Sequence, residues 1–166
     1  MENNYKKIRI IGCSGSGKTY LSKYLGNKYK IPSFDLDTIV WDNSEFYGIK
    51  NDKIKRSLLF SNILENKSWI IEGIYYNKWV KQTFDDADII YVLNIPAYTC
   101  IYRVIKRFIK RKLHKENGKK ERLKSLISLI CWIYNYNRKK FPTISLVLKE
   151  YSEKVIYLNK KTAELI

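Results

Sequence analysis

The stretch Gly12-Cys13-Ser14-Gly15-Ser16-Gly17-Lys18-Thr19 fits the pattern G-x-x-x-x-G-K-[ST]. Glycines at this spacing let a loop wrap its backbone N–H groups around a phosphate. A helix that follows the loop points its positive end at the same anion. Gly12, Ser14, Gly15, Ser16 and Gly17 then form the cradle, Lys18 neutralises β- and γ-phosphate charge, and Thr19 offers a hydroxyl to Mg²⁺. At average composition a chance match arises on the order of once in a hundred chains of this length, or less. The flanks are those the motif needs. A β-branched run at residues 7–11 precedes it, and Leu21, Tyr24, Leu25 and Tyr29 follow at helical spacing. The expected ligand is the triphosphate of ATP, or a close relative, with Mg²⁺. Cys13 needs no contact with ligand, because the loop binds through its backbone. A small residue that fits is favoured over a reactive thiol.

Outward from the loop, strands and helices alternate. Residues 31–36, 68–72, 88–95 and 154–158 read as further strands, and residues 18–29, 52–66, 76–84, 97–113, 121–139 and 142–151 as helices. On the helix over 52–66, Ile54, Leu58, Leu59, Ile63 and Leu64 share one face. Fully apolar strands such as Trp69-Ile70-Ile71 imply a mostly parallel sheet covered on both faces. At 166 residues the chain is one domain by length, 1–166, without repeats or a linker.

A phosphate loop also needs acids near its metal. The second strand ends in Asp35-Leu36-Asp37, and strand alternation sets both carboxylates on one side, at the sheet edge where ligands bind. One could hold metal-bound water and the other orient or deprotonate a substrate hydroxyl. Capping of the next turn is the competing reading. The third strand ends in Glu72-Gly73. Glu72 is placed as a Walker B carboxylate, reaching Mg²⁺ directly or through water, and Gly73 would let substrate approach the backbone.

The net charge is +16. Most basic residues are lysines, and with abundant Asn, Ile and Tyr they suggest an AT-rich genome. Residues 103–124 nevertheless concentrate 11 basic residues against Glu116 and Glu121. Arg103, Arg107 and Arg111 share a helix face. That face fits a lid closing over ATP, a surface for nucleic-acid phosphates, or a basic helix resting on membrane. Its place after the fourth strand favours the lid. Lys110, Lys112, Lys115, Lys119 and Lys120 read as solvated, and His114 as a surface residue. The aromatic run from Trp132 to Pro142 reads as helix packed on the core rather than a base-stacking platform. No run approaches the roughly 20 apolar residues of a membrane span. Met1-Glu2-Asn3-Asn4 leads straight into residues 8–11, so no signal peptide is expected. Cys13, Cys100 and Cys131 lack metal spacing and fit reduced thiols in a cytoplasmic protein.

Taken together, the phosphate loop, Leu36-Asp37-x-x-x-Trp41, Trp69-Ile70-Ile71-Glu72-Gly73-x-Tyr75, Arg103-x-x-x-Arg107 and Trp132-x-x-Asn135-Tyr136 resemble the small P-loop proteins called "DNA topology modulation" proteins, relatives of adenylate and shikimate kinases. The group usually has Asp at Glu72, Asn at Ile74 and often His at Asp35. Asp35 with Asp37 looks instead like the D-x-D of shikimate kinases. The resemblance implies a three-layer α/β P-loop NTPase fold of nucleotide-kinase type, with a parallel five-stranded sheet in the order 2-3-1-4-5 and a helical lid. It implies an ATP-dependent kinase with a small-molecule acceptor, with Lys18, Asp37 and Arg107 catalytic and Arg103 near the adenine. Thr19, Asp35 and Glu72 would serve the metal, and Asp37 and Gly73 the acceptor. The alternative is a DNA-associated protein that binds through its basic helix with ATP as a switch.

Overall fold

A computed structural model describes residues 5–42, 49–113 and 123–159. Its five strands are β1 (Lys7–Gly12), β2 (Ser33–Asp35), β3 (Trp69–Glu72), β4 (Ile89–Leu93) and β5 (Val155–Leu158). All pair in parallel, in the order β2-β3-β1-β4-β5. This is the sheet of a P-loop kinase fold. The central strands are mostly apolar because helices cover both faces: every residue of β3 is buried, as are Ile8, Arg9, Ile10, Ile11 and Gly12 of β1.

The helices are α1 (Lys18–Tyr29), α2 (Leu36–Val40), α3 (Lys53–Leu64), α4 (Lys81–Asp85), α5 (Ala97–Leu113), α6 (Leu123–Asn135) and α7 (Phe141–Leu148). A Ser22–Ser33 hydroxyl bond of 2.5 Å ties α1 to the sheet face that also carries Ile70 and Glu72. Arg9 and Ile71 occupy the other face, where the Arg9 guanidinium lies 5.1 Å from the Phe84 ring of α4.

Several boundaries differ from the sequence reading, each for a local reason. The second strand stops at Asp35, whose side chain accepts the Asp37 N–H at 2.9 Å and so starts α2 one residue later. Asp37 therefore stands in the first turn of a helix, and strand alternation does not describe it. Residues 76–84 form a 3₁₀ turn (Lys78–Val80) before α4. A π-helical turn (Tyr136–Lys140) joins α6 to α7 without a break. Pro142 has no N–H for the carbonyl of Arg138, and its ring crowds that carbonyl, so the helix widens there. After α7 a 3₁₀ segment (Lys149–Lys154) leads into β5. The aromatic run is core on one face only: Ile133 and Tyr136 are buried, while Tyr134 is exposed. His114, Lys115, Lys119, Lys120, Glu116 and Glu121 lie outside the described residues, so of the stretch 103–124 read as a lid the structure describes residues 103–113 of α5 and the start of α6.

The face of α3 is the clearest correction. Ile54 and Leu58 are 84% and 62% exposed, whereas Phe60 and Ile63 are buried. The Phe60 ring meets Trp79 edge-on at 5.3 Å. Only the C-terminal half of α3 reaches the core, so its N-terminal apolar residues have nothing to cover them among the described residues. Phe60→Ala should therefore cost about 3 kcal/mol, and Ile54→Ala no more than about 0.5 kcal/mol. Equal losses in urea denaturation would mean that the helix packs through the face the sequence suggests.

Candidate active site

The phosphate loop leaves β1 at Gly12 and enters α1 at Lys18, with Gly17 at the helix N-cap. Gly15 is held there by space as well as by backbone. Its φ is +79°, and a Cβ would stand 2.5 Å from the Cys100 carbonyl of α5. The loop is thus pressed against α5. Arg103 of that helix donates from Nη1 to the carbonyls of Ser16 (2.9 Å) and Gly15 (3.4 Å). The resemblance to nucleotide kinases implies a place near the adenine for Arg103; the structure puts its guanidinium on carbonyls of the loop itself. Lys18 Nζ donates to the Cys13 carbonyl at 3.0 Å. Ser14 is partly exposed and Ser16 buried. Cys13 is buried, and a hydrogen bond with the Cys100 thiol, together with burial, pushes its thiol well above the usual range. That suits an inert packing residue rather than a nucleophile.

Next to the loop stands a pair of carboxylates. Asp35 and Glu72 are register partners on β2 and β3 and face the same way. Glu72 is buried and accepts the Thr19 hydroxyl proton at 2.5 Å. Asp35 is raised to about 6, first by burial and then by repulsion from Glu72; the Asp37 N–H and Lys18 act in the opposite direction. A hydroxyl and two hard carboxylates suit Mg²⁺, and the repulsion between the two carboxylates is what a cation would relieve. Among the described residues no group of three or more His, Cys, Asp or Glu could hold a metal alone. Mg²⁺ bound largely by phosphates and water needs no such cage.

Across from these groups, Asp37 is exposed and accepts the Tyr75 hydroxyl proton at 2.7 Å. The Trp41 side chain also hydrogen-bonds that phenol, whose pKa is raised by burial and by Asp37. The Tyr75 ring packs edge-on against Trp79 at 5.4 Å, and the Arg56 guanidinium covers the Trp79 ring at 4.9 Å. Asp37, Trp41 and Tyr75, which the sequence presents in two separate motifs, thus meet in space. Tyr75 was legible only as a motif letter; its partner was not. Gly73 has φ +154°, and a Cβ there would lie 3.0 Å from Leu36 Cβ. The glycine lets the turn after β3 close on the start of α2. Its N–H donates to the Ile10 carbonyl at 3.1 Å and its carbonyl accepts from Arg9. Arg107, one turn beyond Arg103, is exposed. A cavity of about 320 Å³ edged by Tyr5, Lys30 and Lys67 lies at the opposite ends of the strands, and no residue of this site lines it.

No family model and no curated protein matches the chain. Solved structures do. A shikimate kinase from Bacteroides thetaiotaomicron superposes with a TM-score of 0.59 at 16% identity, covering 85% of this chain and 82% of that one. A shikimate kinase from Acinetobacter baumannii in complex with shikimate gives 0.58 at 14% identity, covering 96% and 87%. At these identities the likeness is one of fold. No helix among the described residues is long and apolar enough to cross a membrane.

The raised Asp35 has a consequence for stability. Its proton is held more tightly in the folded chain than in the unfolded one, so its contribution falls as pH rises from 3.8 to about 6 and stays low above that. Asparagine keeps the N-cap and carries no charge. Asp35→Asn should melt higher than wild type at pH 7.5, and the difference should shrink as pH falls through 6. Melting curves of the ligand-free protein from pH 4 to 8 test this; parallel profiles would mean that Asp35 ionises without penalty.

Proposed function

We propose that this protein is an ATP-dependent phosphotransferase acting on a small hydroxyl-bearing acceptor. The observation that carries the reading is the contact of Thr19 with Glu72 beside a glycine-rich loop, with the Asp37–Tyr75 pair on the acceptor side of the same edge. The fold shared with shikimate kinases supports it. In this reading the acceptor oxygen bonds to the γ-phosphorus as the bond from that phosphorus to the β,γ-bridging oxygen breaks, and ADP leaves. The acceptor's hydroxyl proton passes to the Asp37 carboxylate. Gly12, Ser14, Gly15, Ser16 and Gly17 present the cradle. Lys18 exchanges the Cys13 carbonyl for phosphate oxygens and stabilises charge on the transferring group. Thr19, Glu72 and Asp35 would hold Mg²⁺, which supplies charge neutralisation at the phosphates. Tyr75 orients Asp37, and Gly73 sets the turn on which the acceptor rests. Arg103 braces the loop and Arg107 acts on the developing charge.

Labelled ATP offered with nucleotides, nucleosides, sugars and shikimate-like acids tests the class directly, and transfer to none of them would sink it. Duplex DNA is the control for the exposed basic face of α5. DNA binding that fades steeply with salt, without any transfer, would move the function to nucleic acid.

Two substitutions divide the roles. Lys18→Ala should weaken ATP-Mg²⁺ binding at least about tenfold, roughly 1.4 kcal/mol, with the fold intact; equal affinities by calorimetry would remove Lys18 from the site. Asp37→Asn should leave ATP affinity nearly unchanged and slow transfer about a hundredfold or more. Unaltered turnover on the acceptor found in the screen would reduce Asp37 to a structural residue.

A further inference from the structure

Arg9 sits in the middle of the central strand with its side chain wholly buried, and the roles assigned above give it none. A charge in this position is costly unless it is well bonded. Burial draws its pKa down to about 9, against the opposing pull of Glu72, so it remains charged at neutral pH. Among the described residues no carboxylate forms an ion pair with it. Its bonds go to backbone carbonyls instead. Nη1 donates to Ile10 (2.6 Å) and Ile71 (3.0 Å), and Nη2 to Gly73 (3.2 Å) and Tyr75 (3.0 Å). The Phe84 ring covers the guanidinium, and Nε has no partner.

The choice of carbonyls is informative. Ile71 and Gly73 are the two neighbours of Glu72, so one planar fork grips the chain on either side of the carboxylate that meets Thr19. The fourth bond holds the residue whose hydroxyl meets Asp37. An apolar side chain of similar volume would fill this part of the core with less desolvation and is often as stable or more so, but it could not hold the carbonyls of Ile71 in β3 and of Gly73 and Tyr75 in the turn after it. Lysine could reach them only as a point charge.

We propose that Arg9 is a positioning residue: through the backbone of residues 71–75 it fixes both the approach of Glu72 to Thr19 and the approach of the Tyr75 hydroxyl to Asp37. The functional meaning of those contacts rests on the phosphotransferase reading; the positioning itself does not. Arg9 touches neither nucleotide nor acceptor in this account and acts only through the turn.

Arg9→Met tests it. The protein is labelled with 3-fluorotyrosine, and the Tyr75 resonance is identified by its loss in Tyr75→Phe. In the ligand-free wild type, Asp37→Asn should displace that resonance. Arg9→Met should displace it as well and abolish its response to Asp37→Asn, while the melting temperature stays the same or rises. With ATP as the probe, the Mg²⁺ concentration that half-saturates binding should rise about tenfold, the scale seen when groups that orient metal ligands are removed. ATP affinity without Mg²⁺ should stay within about twofold, since the cradle is untouched. An unchanged Tyr75 resonance together with an unchanged Mg²⁺ dependence would overturn the proposal, whatever the melting temperature does. If Arg9→Met does not fold, Arg9→Lys is read by the same measurements: displacement supports the proposal and wild-type behaviour in both overturns it. Failure of the wild type to bind ATP-Mg²⁺ would sink the functional reading alone, because the Tyr75 resonance is recorded without nucleotide.

Discussion

Parallel pairing of β1 with β3, in the register that sets Ile10 beside Glu72, is the constraint from which this edge of the molecule follows. A loop leaving β1 must then turn beside whatever ends β3. The chain has placed a glycine-rich phosphate loop at the first end and a carboxylate at the second, and the Thr19–Glu72 bond closes the gap between them. Pairing of β2 with β3 in the register Asp35 with Glu72 adds the second carboxylate. Shifting β3 by one residue would turn Glu72 to the face of Arg9 and Phe84 and break the site without altering the fold. That is why so many of the bonds described here reach backbone around residues 71–75.

The sequence carried the fold well because its signals are local or periodic. A phosphate loop between a β-branched run and a helix is a short-range pattern, and apolar runs such as Trp69-Ile70-Ile71 declare a two-sided burial by themselves. Strand order came from resemblance to kinases, and hydrogen bonding gives the same order. What sequence could not carry depends on which groups come near one another across the fold. Ile54 and Leu58 have the spacing of a buried face, yet α3 meets the core through its C-terminal half, where Phe60 and Ile63 are buried and Leu64 packs against the core. Alternation reads Asp37 as a strand residue, but the competing reading, a cap, is what Asp35 supplies when it accepts the Asp37 N–H. Arg9 lies in a run that otherwise reads as buried strand, and nothing local marks where its guanidinium goes. Its signal was the mismatch itself, a charge where periodicity asks for an aliphatic side chain. The pairing of Tyr75 with Asp37 spans 38 positions and had no local trace at all.

The electrostatics of the edge explain the division of labour among its cations. Arg9 is buried and bonds to carbonyls, which cannot lose a proton and cannot leave, so it suits a fixed structural charge. Lys18 is partly exposed and bonds to one loop carbonyl, a contact that a phosphate oxygen can replace with a charge-assisted bond of greater strength. Arg103 lies between these cases, with its guanidinium on two loop carbonyls and its helix carrying the rest of the basic face. The carboxylates are arranged in the opposite sense. Glu72 is buried and bonded to a hydroxyl, Asp35 is strained by its neighbour, and Asp37 is exposed and oriented by a phenol.

This ordering bears on the high positive charge of the chain. Among the described residues, the basic side chains that donate to phosphate-loop carbonyls are Lys18 within the loop and Arg103 across from it. In the proposed function, a triphosphate entering the cradle would meet backbone N–H groups, a helix N-terminus and Lys18, so its recognition would need no contribution from the lysines further along α5. Those lysines raise the long-range potential at the edge, which speeds the arrival of an anionic nucleotide and is screened by salt within about 10 Å. The contacts at the loop are short and partly buried and are screened far less. In the proposed function, charge far from the loop would therefore govern how quickly an anion arrives, and the geometry of residues 12–19 and 71–75 what happens to it there.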